Sequence, residues 1–112
     1  MQRINEDIKN SSFSQMYLLF GEEAYLRQQY RDKLRASLGA DDDTMNCHYY
    51  EGKGVSVGEI IDLAETMPFL AERRVIILEN TELFKHGGEA LAEYLTSPSP
   101  TVFFVFVETQ ID

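Results

Sequence analysis

The stretch "YLLFGEEAYLRQQ" (residues 17–29) joins an apolar run to a helical pattern through a single glycine, Gly21. Nucleotide-binding proteins hold phosphate with this same order of a strand, a glycine turn and a helix. A working P-loop reads GxxxxGK[ST], and no second glycine, lysine or Ser/Thr follows Gly21 at the required spacing. Glu22 and Glu23 instead stand at the helix start, where carboxylates suit the helix dipole. The stretch therefore predicts the strand, turn and helix of an α/β fold and disfavours a phosphate site.

Apolar runs elsewhere in the chain predict three more strands. The four predicted strands cover residues 16–20, 46–51, 74–79 and 102–107. The first, third and fourth are continuous apolar runs, which is typical of strands covered on both faces. The second alternates less clearly, so we place it at an edge of the sheet.

Helical patterns fill the intervals between the strands. They cover residues 22–38, a segment from Ser56 that ends at Pro68, and residues 88–96, and Ile4 and Ile8 indicate a further short helix. Ser56 and Glu59 have the capping-box spacing. Alternating strands and helices predict an α/β fold, with a largely parallel sheet and flanking helices in a single domain over residues 1–112. The chain stops soon after the fourth strand, at "ETQID", which suggests a fragment of a longer protein that ends before its last strand.

The composition limits the kinds of partner. The formal net charge is −9, with no long basic run, and DNA binding depends on Lys and Arg that neutralise phosphates. We therefore expect a protein or small-molecule partner, and contact with DNA only indirectly. A single cysteine, Cys47, indicates a reducing compartment, and no apolar stretch approaches the roughly 18 residues of a membrane span. These features predict a cytoplasmic protein without a membrane segment.

A metal site is the main alternative to a protein-binding function. Receiver domains gather Mg²⁺ with an acidic pair after the first strand and an Asp after the third. This chain has Glu22 and Glu23, then Glu79 and Asn80, so the phosphoacceptor Asp is missing. Polar residues that simply cap the strand ends are the competing interpretation. No Ser/His/Asp or Cys/His arrangement is apparent, and we predict no catalytic residue.

The segment "TMPFLAERRVIIL" (residues 66–78) is the second feature of interest. Pro68 ends a helix, two large apolar residues follow, and "AERR" leads into a buried strand. By pattern alone, Phe69 and Leu70 are expected to pack in the core. If they are exposed instead, they form a compact apolar surface suited to anchoring a partner.

Three segments in this order, "YLLFGEEAYLRQQYRDKL", "TMPFLAERRVIILEN" and "LAEYLTSPSPTVFFVFVE", resemble the N-terminal domain of the delta subunit of the bacterial DNA polymerase III clamp loader. The resemblance extends from Met16 to Glu108, and "MPFLAERRVIIL" is its most specific part. It implies an AAA+-like (P-loop NTPase-like) domain without a nucleotide site, cofactor or metal. Any polymerase activity then belongs to the parent holoenzyme.

The resemblance also implies a function and a site. In the family this domain binds the sliding clamp (the beta subunit) with an adjacent apolar pair and opens the ring for loading onto primed DNA. The matching pair is Phe69 and Leu70, with Met67 as a flanking contact. The family's contacts with other loader subunits lie in a C-terminal region that this sequence does not contain. A receiver-like or degenerate AAA+ domain that binds Mg²⁺ or phosphate through Glu22, Glu23 and Glu79 is the alternative.

Overall fold

The computed structural model describes residues 2–20, 23–38, 46–83 and 87–108. Its elements in chain order are α1 (Gln2–Asn10), β1 (Met16–Phe20), α2 (Ala24–Ser37), β2 (Cys47–Glu51), α3 (Val57–Ala64), β3 (Arg74–Glu79), α4 (Glu89–Tyr94) and β4 (Val102–Glu108). All four predicted strands are confirmed to within one residue at each end. The predicted helices are present, and α2, α3 and α4 are shorter than their sequence patterns.

The four strands form one parallel sheet in the order β1-β4-β3-β2. β3 and β4 are the interior strands, which explains their continuous apolar runs. β2 lies at an edge, as its weaker pattern predicted. β1 lies at the other edge and is covered less fully than expected: Tyr17 and Leu19 are buried, whereas Phe20 is exposed.

Helices cover both faces of the sheet, and side chains alternate along each strand between two apolar clusters. Val75 and Ile77 of β3 pack with α1 and α2 on one face. Ile76 and Leu78 pack with α3 and α4 on the other. The protein is therefore a three-layer α/β structure, and each loop between a helix and a strand lies at one of the two ends of the strands.

Local sequence accounts for the connection from β2 to α3. The Ser56 hydroxyl accepts a hydrogen bond from the Glu59 N–H at 3.2 Å, so the predicted cap of α3 is confirmed. Gly52 and Gly54, in the "GKG" before this cap, both have φ of 85°, a conformation that favours glycine. These glycines form the turn from β2 to α3.

A buried tyrosine fixes α1 against the sheet. The Tyr17 hydroxyl donates to Asp7 Oδ2 at 2.7 Å and accepts from the Ser14 N–H at 2.8 Å. Burial raises the pKa of Tyr17, and the hydrogen bond to the Asp7 carboxylate raises it further.

Across the described ranges, no helix is both long and apolar enough to cross a bilayer.

Candidate functional site

Residues 66–73, between α3 and β3, form a loop at the N-terminal end of the strands, which we call the apolar loop. It presents three large apolar side chains to solvent: Met67 is 75% exposed, Phe69 54% and Leu70 91%. We call these three side chains the apolar tip. The expectation from pattern alone, that Phe69 and Leu70 pack in the core, is wrong. Their exposure is what the family resemblance implies.

The path of the chain explains this exposure. α3 ends at Ala64, and Pro68 cannot continue a helix because it lacks an N–H. Leu70 has φ of 55°, a left-handed conformation that is uncommon for a residue with a branched side chain. The loop therefore turns sharply where its most apolar residues stand, and it directs them away from the sheet.

The buried position beneath the loop belongs to a polar residue, Asn46, which is 1% exposed. Its side-chain Oδ1 accepts from the Phe69 N–H at 2.6 Å, and its Nδ2 donates to the Phe69 carbonyl at 2.6 Å. The Asn46 main-chain carbonyl accepts from Val75 N–H at 2.8 Å, so this residue is itself fixed to the sheet. One amide thus satisfies both main-chain polar groups of Phe69 and leaves its ring free.

A buried arginine holds the first part of the loop. Arg74, the first residue of β3, donates to the Met67 carbonyl at 2.8 Å and to the Thr66 carbonyl at 3.3 Å. Its third nitrogen lies 2.7 Å from His48 Nε2. Because a guanidinium only donates, His48 Nε2 must be the acceptor in this contact. The loop is therefore anchored through its carbonyls.

Arg73 is the last residue of the apolar loop, and its side chain lies on the face of the sheet that α1 and α2 cover. Its guanidinium stacks 5.2 Å from the Phe13 ring centroid and 5.6 Å from that of Phe103. It also donates to the Leu38 carbonyl at 3.3 Å. Arg73 thus joins the end of α2 to the base of the loop.

The opposite end of the strands carries the carboxylate of the alternative metal-site hypothesis, and here that carboxylate is engaged. Glu79 Oε1 pairs with Arg31 Nη1 at 2.5 Å, and Glu79 Oε2 accepts from the Tyr49 hydroxyl. Burial lowers the pKa of Arg31, but its bonds to the Asp32 and Glu79 carboxylates outweigh this and raise it overall. Arg31 therefore stays charged, and its ion pair with Glu79 holds α2 to the end of β3.

Of the other acidic residues of that hypothesis, Glu23 alone lies among the described residues. Glu23 precedes α2 without a side-chain capping bond and is exposed, while Glu22 lies outside the described residues. A nearby buried carboxylate, Glu108, accepts from the N–H groups of Thr81 and Glu82 at 3.1 and 2.8 Å. Within the described ranges, no three His, Cys, Asp or Glu side chains are grouped as metal ligands.

Sequence reasoning missed the residues that hold the loop. The sequence pattern predicts Asn46 only as the first residue of one strand and Arg74 as the first residue of another. One signal was available for Arg74, because a charged residue adjoining a continuous apolar run must find acceptors when the strand is buried. Asn46 had no such signal, since its partner is main chain 23 residues away.

The described residues thus form a parallel α/β domain with an exposed, anchored apolar loop. Comparison with known proteins identifies its family: the family model for "DNA polymerase III, delta subunit" matches residues 17–112 of the sequence. The chain belongs to this family. It is 29% identical, over 91% of its length, to the DNA polymerase III subunit delta of Bacillus subtilis (strain 168).

A solved structure of a delta protein has the same fold. The Bacillus subtilis DNA clamp loader delta protein (YqeN) superposes with a TM-score of 0.85 over 99% of this chain, at 25% identity. The chain spans 32% of the length of the subunit delta sequence and 36% of the solved chain. The chain is thus similar to about one third of each relative.

Proposed function

We propose that this chain is the clamp-binding part of a clamp loader delta subunit, and that Phe69 and Leu70, flanked by Met67, insert into an apolar pocket of the sliding clamp. The observation that carries the proposal is the exposure of the apolar tip. Leu70 is 91% exposed, whereas no other leucine among the described residues is more than 38% exposed. An exposed apolar side chain does not stabilise the fold. Its burial in the pocket of a partner would stabilise the complex.

The magnitude of that burial is sufficient for an anchor. Removing a Phe or Leu side chain from water contributes about 1.5–3 kcal/mol each, and a few such residues dominate typical interfaces. Phe69 and Leu70 are adjacent, so one pocket can take both. Met67, with its flexible thioether, suits the rim of such a pocket.

Ring opening follows from binding only under one condition. A bound protein shifts an equilibrium only by its difference in affinity for the two states. We therefore propose that the chain binds a clamp with an open subunit interface more tightly than a closed ring. Its function is then to favour the open ring for loading onto primed DNA, without chemistry of its own.

The finer assignments belong to the same proposal. Residues 1–112 form one AAA+-like clamp-binding unit that acts in the cytoplasm. Contacts with other loader subunits are made by parts of the relatives beyond the matched third, and contact with DNA is indirect.

The test is the double variant Phe69→Ala with Leu70→Ala. We expect clamp binding to weaken by at least about 2 kcal/mol, because the anchoring burial is lost. Isothermal calorimetry or surface plasmon resonance with the sliding clamp from the same source measures the affinity, and circular dichroism confirms the fold.

Tyr25→Ala is the matched control, since Tyr25 is also a large exposed side chain, 75% exposed, but it lies on α2. It should bind as the unmodified protein does. A double variant that is folded and binds the clamp with unchanged affinity contradicts the proposal. The ring-opening part is tested separately, by comparing affinities for a closed clamp and for a clamp variant with a disrupted ring interface; equal affinities overturn it.

A further inference from the structure

We infer that Asn46 is a positioning residue for clamp binding: it holds the main chain of Phe69 so that the apolar tip is presented in its binding geometry before the partner arrives. The inference rests on the proposed function, since it concerns how the same tip is held. Asn46 itself is 1% exposed and has no surface to offer a partner. Its effect on binding must therefore pass through Phe69.

The first observation is the pair of hydrogen bonds between Asn46 and Phe69. Both bonds measure 2.6 Å, and they engage the N–H and the carbonyl of the same residue, as a neighbouring strand would. A side-chain amide is the group that carries a donor and an acceptor at this spacing. The bonds fix the position and the orientation of the Phe69 peptide groups together.

The second observation is where the anchors fall along the apolar loop. Arg74 binds the carbonyls of Thr66 and Met67, and Asn46 binds Phe69. All of these contacts are to main chain, so the three side chains of the apolar tip remain available. Anchoring through the main chain is what an exposed binding loop requires, because its apolar side chains have no core to hold them.

The third observation is the backbone of Leu70. Its φ of 55° is unfavourable for leucine, and such a conformation persists only where its surroundings impose it. Leu70 is 91% exposed, so its own side chain does not impose it. The adjacent residue, Phe69, is the one that Asn46 fixes. The geometry points to Asn46 as the group that keeps the turn in this conformation.

The consequence is preorganisation. A loop that is already ordered loses less conformational entropy on binding than one that must be ordered by its partner. Without Asn46, the loop would adopt several conformations, and the clamp would bind only one of them. The observed affinity would then be the intrinsic affinity multiplied by the fraction of protein in that conformation.

The experiment uses Asn46→Ala, measured with the sliding clamp of the same source. We expect an affinity loss of about five- to twenty-fold, since two main-chain hydrogen bonds that each favour the native loop by a few-fold are removed. Hydrogen exchange followed by NMR should show faster exchange at the Phe69 amide, with little change at amides of β3 and β4. If Asn46→Ala does not fold, Asn46→Asp, which has nearly the same volume and keeps only the acceptor, replaces it.

A double-mutant cycle separates positioning from general destabilisation. In the Phe69→Ala, Leu70→Ala background, Asn46→Ala should cause less than a twofold further loss, because there is no tip left to position. Gln15→Ala is the matched control: Gln15 Nε2 also donates to main chain, at Ser99 O (2.6 Å) in the loop before β4 and at Val102 O (2.9 Å) at the start of β4. This variant should bind the clamp normally.

The outcomes distinguish the two proposals. If the unmodified protein binds and the tip variant binds more weakly, yet folded Asn46→Ala binds normally, the positioning role is overturned and the proposed function stands. An equal loss on Asn46→Ala with and without the tip also overturns positioning. If the unmodified protein does not bind the clamp, the proposed function itself fails.

Discussion

Leu70 shows at the scale of one residue how binding and stability oppose each other. Its side chain is almost entirely in solvent, and its φ of 55° lies in the left-handed region, where Cβ comes too close to the following carbonyl oxygen. Asparagine tolerates this conformation better than leucine. The residue is therefore unfavourable for the fold, and we expect its identity to be set by the partner.

From this we predict that Leu70→Asn stabilises the protein against urea by about 0.5–1 kcal/mol while it weakens clamp binding. Equilibrium unfolding followed by circular dichroism measures the first effect, and calorimetry with the clamp measures the second. Met67→Asn is the control, because Met67 is also exposed but is not among the residues with positive φ. A Leu70→Asn variant that is no more stable than Met67→Asn contradicts this interpretation of the turn.

The site could be predicted from sequence only in part, and the reason lies in the residues themselves. Phe69 and Leu70 have the same composition as a core segment, so pattern alone placed them inside. Only the order of motifs along the chain implied that they are exposed. Asn46 could not be found, because nothing local to its position shows that it pairs with the main chain of a distant loop.

At the scale of elements, an ion pair joins α2 to the end of β3. Arg31 of α2 bonds to Glu79, whose side chain is 9% exposed and which also accepts from Tyr49. Removing one partner of a buried pair leaves the other charge without its counter-ion, which costs more than the pair itself contributes.

We predict that Arg31→Ala lowers the free energy of unfolding by about 2–3 kcal/mol, below the full cost of a completely buried pair because Arg31 is 20% exposed. Chemical denaturation provides the measurement. Lys53→Ala is the control: Lys53 pairs with Glu82 at 3.0 Å but is 71% exposed, so its loss should cost less than about 0.5 kcal/mol. Similar losses of stability for the two substitutions would show that the buried Arg31–Glu79 pair contributes no more than an exposed pair. Clamp affinity should stay unchanged in both, since these residues lie at the end of the strands opposite the apolar loop.

The elements themselves were the most predictable part of the structure. Continuous apolar runs located β3 and β4 to within a residue because both faces of interior strands are buried. α2 was less well predicted. Leu26, Leu34 and Leu38 recur along it at helical spacing, yet Leu34 and Leu38 are buried whereas Leu26 is exposed. A regular pattern shows that a helix is amphipathic, but it does not show how far the helix is covered.

At the scale of the whole molecule, the order β1-β4-β3-β2 was not predictable from sequence, although the parallel arrangement was. β1 has an apolar run like those of β3 and β4 but lies at an edge. Pairing partners depend on how the crossovers pack on the two faces, and strand composition does not record this. The structure thus separates two ends of one sheet: polar side chains pair with each other beside the carboxyl ends of the strands, and the apolar loop extends from the other.

The net charge of the whole molecule bears on how it meets DNA. With a formal charge of −9, the chain repels the phosphate backbone, and binding to duplex DNA depends on neutralising phosphates. We predict no saturable binding of primed duplex DNA up to tens of micromolar protein at about 0.15 M salt, where the electrostatic range is about 8 Å. Fluorescence anisotropy with labelled DNA is the measurement, and the same titration with clamp present reports any indirect contact. Submicromolar binding by the chain alone, weakening steeply with added salt, would show that a local basic surface outweighs the net charge and that the chain contacts DNA directly.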